Sequence, residues 1–388
     1  MRVVMFDPGN FIPYYIDALS CSLALAGADV SVITSPPLFG QTVTSDAYRS
    51  ECLFFPFLQG RRRDCVRYRR TLRRCLKAAA YPAGVVRSWR ALSARPPGVL
   101  HVQFSLAPAL DARLARAMKR RGWVVAYTIH DPLPRPRRFG ASRIALLEVA
   151  DALVVHSRHE VESVVARYPF AGPRLSVVPH GAAVLPAPSA ADRAAARAWL
   201  GIDVERPVLL FFGMLKPYKG LEYLAGAMPR VLAKFPRTLL VVAGEPFMSL
   251  EPLRAQLCRL GLADAVLLRP AFVPDADVPR YFHAADMLVA PYIDGGASGV
   301  VALAQGYGCP AVVTRVGALT EFVEPDQCGL AVPPASSEAL AEAICRALGD
   351  RETLAEMGRR ARQRLARVNA WTDVARRTLD VYAAAGAR

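Results

Sequence analysis

Short apolar runs alternate along the chain with longer stretches of helical periodicity, the pattern that produces parallel sheets covered by helices. In the first half the runs lie at residues 3–6 (VVMF), 30–33 (VSVI), 99–102 (VLHV), 124–127 (VVAY), 152–155 (ALVV) and 175–178 (LSVV). A polar, Ala- and Pro-rich stretch at about 183–200 interrupts the series. It resumes at 208–212 (VLLFF), 239–242 (LLVV), 266–268 (VLL), 287–289 (MLV) and 311–313 (AVV). Two doubly wound α/β units in tandem, residues 1–182 and 183–370, are the simplest arrangement. Such units place their ligand crevice at the carboxyl ends of the strands and between the domains. In residues 371–388 (WTDVARRTLDVYAAAGAR), Trp371, Val374, Leu379, Val381 and Tyr382 share roughly one face. The tail is a closing helix, either the last of the second domain or one that packs back on the first.

Composition supports this picture. The chain has 388 residues, 53% of them hydrophobic, enough for two domains that each bury a core. No apolar run approaches the ~18 residues of a membrane span, and MRVVMFDPGN lacks the apolar core of a signal peptide, so a cytoplasmic location is expected. The eight cysteines form no CxxC and no finger-like spacing with histidines, and read as small buried hydrophobes. Net charge is +16, and its distribution matters more than its size. Residues 1–200 hold 28 Lys and Arg against 13 Asp and Glu, whereas residues 201–388 hold 21 against 20. The basic surface therefore belongs to the first half, which suits an anionic partner.

Two segments carry the chemistry. The run at 208–212 leads into GMLKPYKG at 213–220 and then a helix near Leu221. A glycine after a strand lets a ligand approach the backbone, and Lys219 adds a point charge where the free N–H groups of a helix start already favour anions. The spacing is neither a Walker loop nor GxGxxG, which removes the footing for an ATPase or a dehydrogenase. The second segment is PYIDGGASGVVALAQGYGCPAVVT at 291–314, where Ser298 is a good N-cap and Gly299 leaves the helix start bare. It forms a second anion cradle. The GALTE turn at 317–321 follows.

With these segments in place, the sequence resembles the retaining, metal-independent glycosyltransferases of the GT-B fold, specifically family 4 of the sugar-nucleotide-dependent enzymes. The resemblance rests on PGNF after the first strand, YTIHDPLP around His130, ADALVVHSRHEVESV from Ala150 and VVPHG ending at Gly181. It continues through GMLKPYKG, AFVPDADVPRYFHAADMLVAPY, SGVVALAQGYGCPAVV, GALTEFV and GLAVPP. It implies two Rossmann-like domains facing a cleft and a nucleoside-diphosphate sugar as donor. Lys219 would bind the diphosphate, the backbone at Ser298, Gly299 and Val300 would cap the same phosphates, and Gly9 would approach from the first domain. Phe272 and Val273 match the segment along the nucleotide base, Glu321 falls in the donor-side GALTE turn, and His130 matches the histidine that faces the donor sugar. A strand-end cap is the structural alternative for His130. Lys219 and His130 are thus the expected catalytic residues.

Departures from the family pattern bear on the donor. Members usually carry two Glu eight residues apart around the second cradle, and these positions hold Gly295 and Leu303. Asp294 is the only carboxylate adjacent to the first of them. The arginine usual after the first glycine of the lysine motif is Met214, with Lys216 the nearest substitute. The sequence thus reads as an SGV-type variant, with a catalytically silent sugar-nucleotide-binding subunit as the alternative. No metal or cofactor is expected: in the DAD at 275–277, Asp277 precedes Val278-Pro279 and reads as a helix N-cap.

On the acceptor side, residues 61–81 (RRRDCVRYRRTLRRCLKAAAY) place Cys65, Tyr68, Leu72, Cys75, Leu76 and Ala79 on one helical stripe. Arg61, Arg62, Arg63, Arg67, Arg69, Arg70, Arg73 and Arg74 cover the rest. That is the profile of a helix lying on an anionic membrane, or of an ordinary basic surface helix. Trp89, Arg135, Arg137 and Arg138 extend the patch. The membrane reading implies a lipid-linked or glycan acceptor in cell-surface polysaccharide or glycolipid synthesis, with the protein peripheral on the inner face of the plasma membrane. A nucleic-acid partner is disfavoured, because the basic residues lack interleaved aromatics or a recognisable module.

Overall fold

A computed structural model describes residues 1–36, 45–58, 68–130 and 140–387, with backbone alone at 58, 68–74 and 140–142. The chain divides into two compact units, Met1–Pro179 with Trp371–Arg388, and His180–Ala370. The division falls slightly before the 182 expected from composition, and hydrogen bonding explains why. The carbonyl of His180 accepts from Asn369 Nδ2 at 3.0 Å, and Ala182 N–H donates to Asn369 O at 3.1 Å. Residues 180–182 are thereby tied to the end of the second unit.

The first unit is a seven-stranded parallel sheet. Its strands are β1 (Arg2–Asp7), β2 (Asp29–Thr34), β3 (Arg49–Cys52), β4 (Val99–Val102), β5 (Val124–Thr128), β6 (Ala152–Val155) and β7 (Leu175–Val177), in the order β3-β2-β1-β4-β5-β6-β7. Central strands buried on both faces need unbroken apolar runs, which is how they were legible. β3 reads RSEC and was not. It sits at the sheet edge, in register with β2 from Ser31↔Arg49 to Thr34↔Cys52, where polarity is tolerated. The helices are α1 (Pro13–Leu25), α2 (Tyr68–Ser93), α3 (Pro108–Lys119), α4 (Gly140–Val149) and α5 (Arg158–Arg167). Of the basic segment, Arg61, Arg62, Arg63 and Arg67 lie outside the described residues, as do Arg135, Arg137 and Arg138. For Arg69, Arg70, Arg73 and Arg74 only a helical backbone is described.

The second unit has a six-stranded parallel sheet in the order β10-β9-β8-β11-β12-β13. The strands are β8 (Val208–Phe212), β9 (Leu239–Ala243), β10 (Val266–Arg269), β11 (Met287–Ala290), β12 (Ala311–Thr314) and β13 (Gly329–Val332). Its helices are α6 (Ala190–Leu200), α7 (Leu221–Lys234), α8 (Glu251–Arg259), α9 (Val278–Ala284), α10 (Gly299–Gly306), α11 (Leu319–Val323), α12 (Ser337–Gly349) and α13 (Arg351–Val368). The last helix, α14 (Trp371–Gly386), packs on α1 in the first unit. Val374, Ala375, Tyr382 and Ala385 share a core there with Tyr15, Ile16 and Leu19. Tyr382 is 1% exposed, and its hydroxyl lies 2.5 Å from His101 Nδ1 on β4.

The chain's end therefore stabilises the unit that contains its beginning. Tyr382→Ala should cost about 3–5 kcal/mol in the unfolding of the first unit, followed by denaturant titration. Tyr382→Phe, which removes only the hydroxyl facing a buried imidazole, should cost about 1–3 kcal/mol.

Candidate functional site

The second unit brings its two motifs together at the carboxyl edge of the sheet. β8 ends at Phe212 and the chain turns at Gly213, whose φ of +96° disfavours any other residue. A Cβ built on Gly213 would lie 3.0 Å from Val300 Cγ2 and 3.2 Å from Lys219 Nζ, so one small volume is bounded by both motifs. Lys219 closes a single 3₁₀ turn, Pro217–Lys219, ahead of α7. Gly220 holds it in place: it has a φ of +65°, and a Cβ there would strike Pro291 O at 2.1 Å. Ile293 N–H donates to Tyr218 O at 2.8 Å. The lysine loop is thus packed directly on the loop after β11.

Lys219 is 5% exposed, and its ammonium lies 5.1 Å from the ring centroid of Tyr292. No carboxylate pairs with it among the described residues. Burial pulls its pKa down from 10.5 to about 8, with the Tyr218 hydroxyl opposing weakly. A cation–π contact offsets only part of the cost of burying an ammonium, so an anion placed here would stabilise the charged form. Ser298 is 5% exposed and caps α10, accepting from Val301 N–H at 3.4 Å, with its hydroxyl 3.2 Å from Tyr292 Oη. That bond leaves the Gly299 and Val300 N–H groups at the helix start, where anions are favoured. The His180 ring covers Gly299, with Cε1 3.1 Å from the position a Cβ would take.

The remaining residues expected on the donor side occupy different settings. Lys216 Nζ lies 6.0 Å from the Tyr218 ring and 5.7 Å from the Phe247 ring. Phe272 is 37% exposed after β10, and Val273 packs against the core cluster that holds Tyr292 and Val301. Asp294 is exposed, and Glu321 is half-buried on α11. Gly295 has a φ of +149°, and its carbonyl lies 2.1 Å from where a Cβ of Gly317 would be. The loop geometry itself thus disfavours a glutamate at 295. Leu303 packs against the apolar core.

The DAD segment corrects the sequence expectation in part. Asp277 does precede α9, but its side chain makes no cap hydrogen bond. Its φ and ψ of −96° and −15° are helical rather than extended, so the carboxylate cannot turn back onto the first N–H groups. It accepts instead from Arg280 Nη1 at 3.0 Å. No group of three or more His, Cys, Asp or Glu that could hold a metal occurs among the described residues.

In the first unit, His130 follows β5 and stacks on Phe104 at 4.1 Å and 8°. Its Nε2 lies 2.9 Å from Gln103 Oε1, and its Nδ1 lies 3.1 Å from His156 Nε2. Gly9 is buried in the turn after β1, where a Cβ would strike the Phe11 ring at 2.6 Å. Asp7 precedes it: Oδ1 accepts from Asn10 N–H at 3.0 Å, while Oδ2 is buried without a hydrogen-bond partner. Burial raises its carboxyl to about 7. Sequence inspection missed Asp7, Gln103, His156, His180 and Tyr292. Their signal was adjacency to a strand end, which many structural residues share.

Two doubly wound parallel units, with a buried lysine beside a helix start at the carboxyl edge of the second sheet, fit the GT-B class. Residues 206–350 match the model of Glycosyl transferases group 1, and residues 12–184 match Glycosyltransferase Family 4. The D-inositol 3-phosphate glycosyltransferase of Acidothermus cellulolyticus is 32% identical over 328 residues, 78% of this chain and 70% of that protein. The D-inositol 3-phosphate glycosyltransferase of Nocardia farcinica is 32% identical over 293 residues, 74% of this chain and 61% of that one. HepE of Anabaena, crystallised with UDP, shares the fold at 17% identity with a TM-score of 0.75, covering 99% of this chain and 100% of that one. The chain belongs to family 4 of the group 1 glycosyltransferases. It spans 61% and 51% of the length of two of the relatives it matches.

Two expectations follow from the cradle. Gly213→Val forces a side chain between Val300 and Lys219 and should weaken nucleoside diphosphate binding at least tenfold by calorimetry. Lys219→Met should stabilise the ligand-free protein. A folded-state pKa below 10.5 means that folding disfavours the charged amine, so at pH 7 its removal should raise the unfolding free energy by on the order of 3 kcal/mol. The wild type should gain that stability only as pH rises from about 8 to 10.5, whereas the variant should show no such rise.

Proposed function

We propose that the protein is a retaining, metal-independent glycosyltransferase that moves a sugar from a nucleoside-diphosphate donor to a glycan or lipid-linked acceptor. The observation that carries this reading is Lys219, a buried cation with no carboxylate partner among the described residues, beside the Ser298-capped start of α10. Lys219 and the N–H groups of Gly299 and Val300 hold the diphosphate, and the Ser298 cap fixes the helix start. The same groups stabilise the negative charge that grows on the leaving diphosphate, which lowers the barrier to transfer. A donor phosphate oxygen takes the acceptor proton, so no side-chain base is needed. Phe272 and Val273 lie along the base, Asp294 and Glu321 supply carboxylates on the sugar side, and Lys216 supports the phosphates. In the first unit, Gly9 and His130 carry the donor-side roles that the family resemblance implies for them.

HepE, crystallised with UDP, favours uridine as the base. Relatives named for D-inositol 3-phosphate favour an acceptor that is itself anionic, as does the excess of positive charge in residues 1–200. On α2, Leu76 is 49% and Trp89 41% exposed, which supports peripheral contact with an anionic membrane. No helix among the described residues is long and apolar enough to cross one. Gly295 and Leu303 support a second reading, a sugar-nucleotide-binding subunit without transferase activity.

A thermal-shift panel of UDP, GDP, ADP and TDP tests the donor assignment. One of them should raise the melting temperature by several degrees, and Lys219→Ala should abolish the shift. No shift with any of the four would overturn the proposal. Slow donor hydrolysis without acceptor distinguishes an enzyme from a silent subunit.

A further inference from the structure

A row of hydrogen-bonding side chains crosses the first unit beneath His130. At one end, His156 Nδ1 lies 3.0 Å from the carbonyl of Val178. His156 Nε2 meets His130 Nδ1 at 3.1 Å, and His130 Nε2 meets Gln103 Oε1 at 2.9 Å. The orientation of the Gln103 amide decides what this row requires. Its Nε2 lies 3.2 Å from both ring nitrogens of His101, which places it over the face of that ring. An N–H is attracted to the negative face of an aromatic ring and a carbonyl oxygen is repelled, so Oε1 is the atom turned to His130.

Both ends of the row are then oxygen acceptors, and each requires an N–H from the imidazole it faces. The central N···N contact requires a third proton. Two neutral imidazoles carry two N–H protons in total, so all three hydrogen bonds form only when the two rings share one extra proton. We propose that His130 and His156 share one proton across their N···N contact, a single positive charge held by the pair, and that His156 is the positioning residue that keeps His130 oriented and protonated. The shared proton stands on this geometry alone. Its consequence for transfer rests on the role given to His130 above.

Among the described residues, a buried carboxylate and two neutral groups lie beside the pair. The carboxylate of Glu160 on α5, itself fully buried, accepts from the backbone N–H of His156 at 2.7 Å and supplies a nearby opposite charge. Tyr15 on α1 meets both rings edge-on, at 5.3 Å from His130 and 6.1 Å from His156, and burial keeps its phenol neutral. His101 stays neutral: burial first, and then the charge on His156, push its pKa down to about 3. Its ring nitrogens are satisfied by Tyr382 Oη at 2.5 Å and Thr128 Oγ1 at 2.7 Å. Phe104 covers one face of His130, so that ring is held in plane.

The test uses the ligand-free chain labelled with ¹⁵N-histidine, its resonances assigned by single substitutions. At neutral pH the pair should show three ring N–H protons, falling to two in one transition as pH rises. Gln103→Glu, which places a carboxylate at one end, should move that transition up by about one pH unit, and Gln103→Met should move it down. His156→Asn supplies an amide N–H to a neutral His130. It should remove the alkaline limb of the kcat profile and lower kcat about tenfold or more, with little change in KM. Two independent histidine transitions, or the absence of a third N–H proton, would overturn the shared charge. A kcat profile unchanged in His156→Asn would overturn the positioning role. Loss of donor binding, by contrast, concerns Lys219 and leaves the resonances of the pair unchanged.

Discussion

The second unit is organised around an ammonium group that folding alone does not stabilise. Lys219 is buried against Tyr292 with no opposite charge among the described residues, and its pKa has fallen to about 8. A charge in that state is a standing cost to the fold. It is held there by local geometry: a 3₁₀ turn, a left-handed glycine on each side of the loop, and the direct packing of Gly220 on the Pro291 carbonyl. An anion of matching size converts that cost into binding energy. The start of α10 lies against the same volume and contributes its N–H groups without a side chain.

This arrangement also accounts for the departures from the family pattern. Where relatives usually carry a glutamate, this chain has Gly295 in a left-handed conformation, its carbonyl pressed against Gly317. Leu303, where a second glutamate is usual, packs into the core under α10. The diphosphate grip proposed here uses backbone and one lysine, and neither depends on those carboxylates. What changes is the surface offered to the sugar and the ribose.

Much of this was legible in the sequence because parallel sheets write themselves as apolar runs. The strands from β1 to β12 that lie inside the sheets were visible this way, and the glycines around Lys219 marked the cradle. The polar edge strand β3 was not visible, because RSEC is specified by pairing with β2 and not by its own composition. Nor could periodicity decide where α14 docks, since an apolar stripe does not name its partner. The core that Val374, Ala375, Tyr382 and Ala385 share with Tyr15, Ile16 and Leu19, together with the Tyr382–His101 contact, shows where it docks. The cap expected at Asp277 failed for a local reason, a helical backbone where an extended one is needed. The Gln103–His130–His156 row depends on side chains from three separate strand ends, a coincidence in space that sequence spacing does not record.

The central claim, that Lys219 waits for a phosphate, is tested most directly by counting protons. Calorimetry of nucleoside diphosphate binding at pH 8, in two buffers of different ionisation enthalpy, reports the protons taken up on binding. An amine with a pKa of about 8 in the free protein, pushed well above that by a bound diphosphate, takes up about half a proton per ligand. Lys219→Met should abolish that uptake. Binding to the wild type without proton uptake, or equal uptake in the variant, would contradict the account.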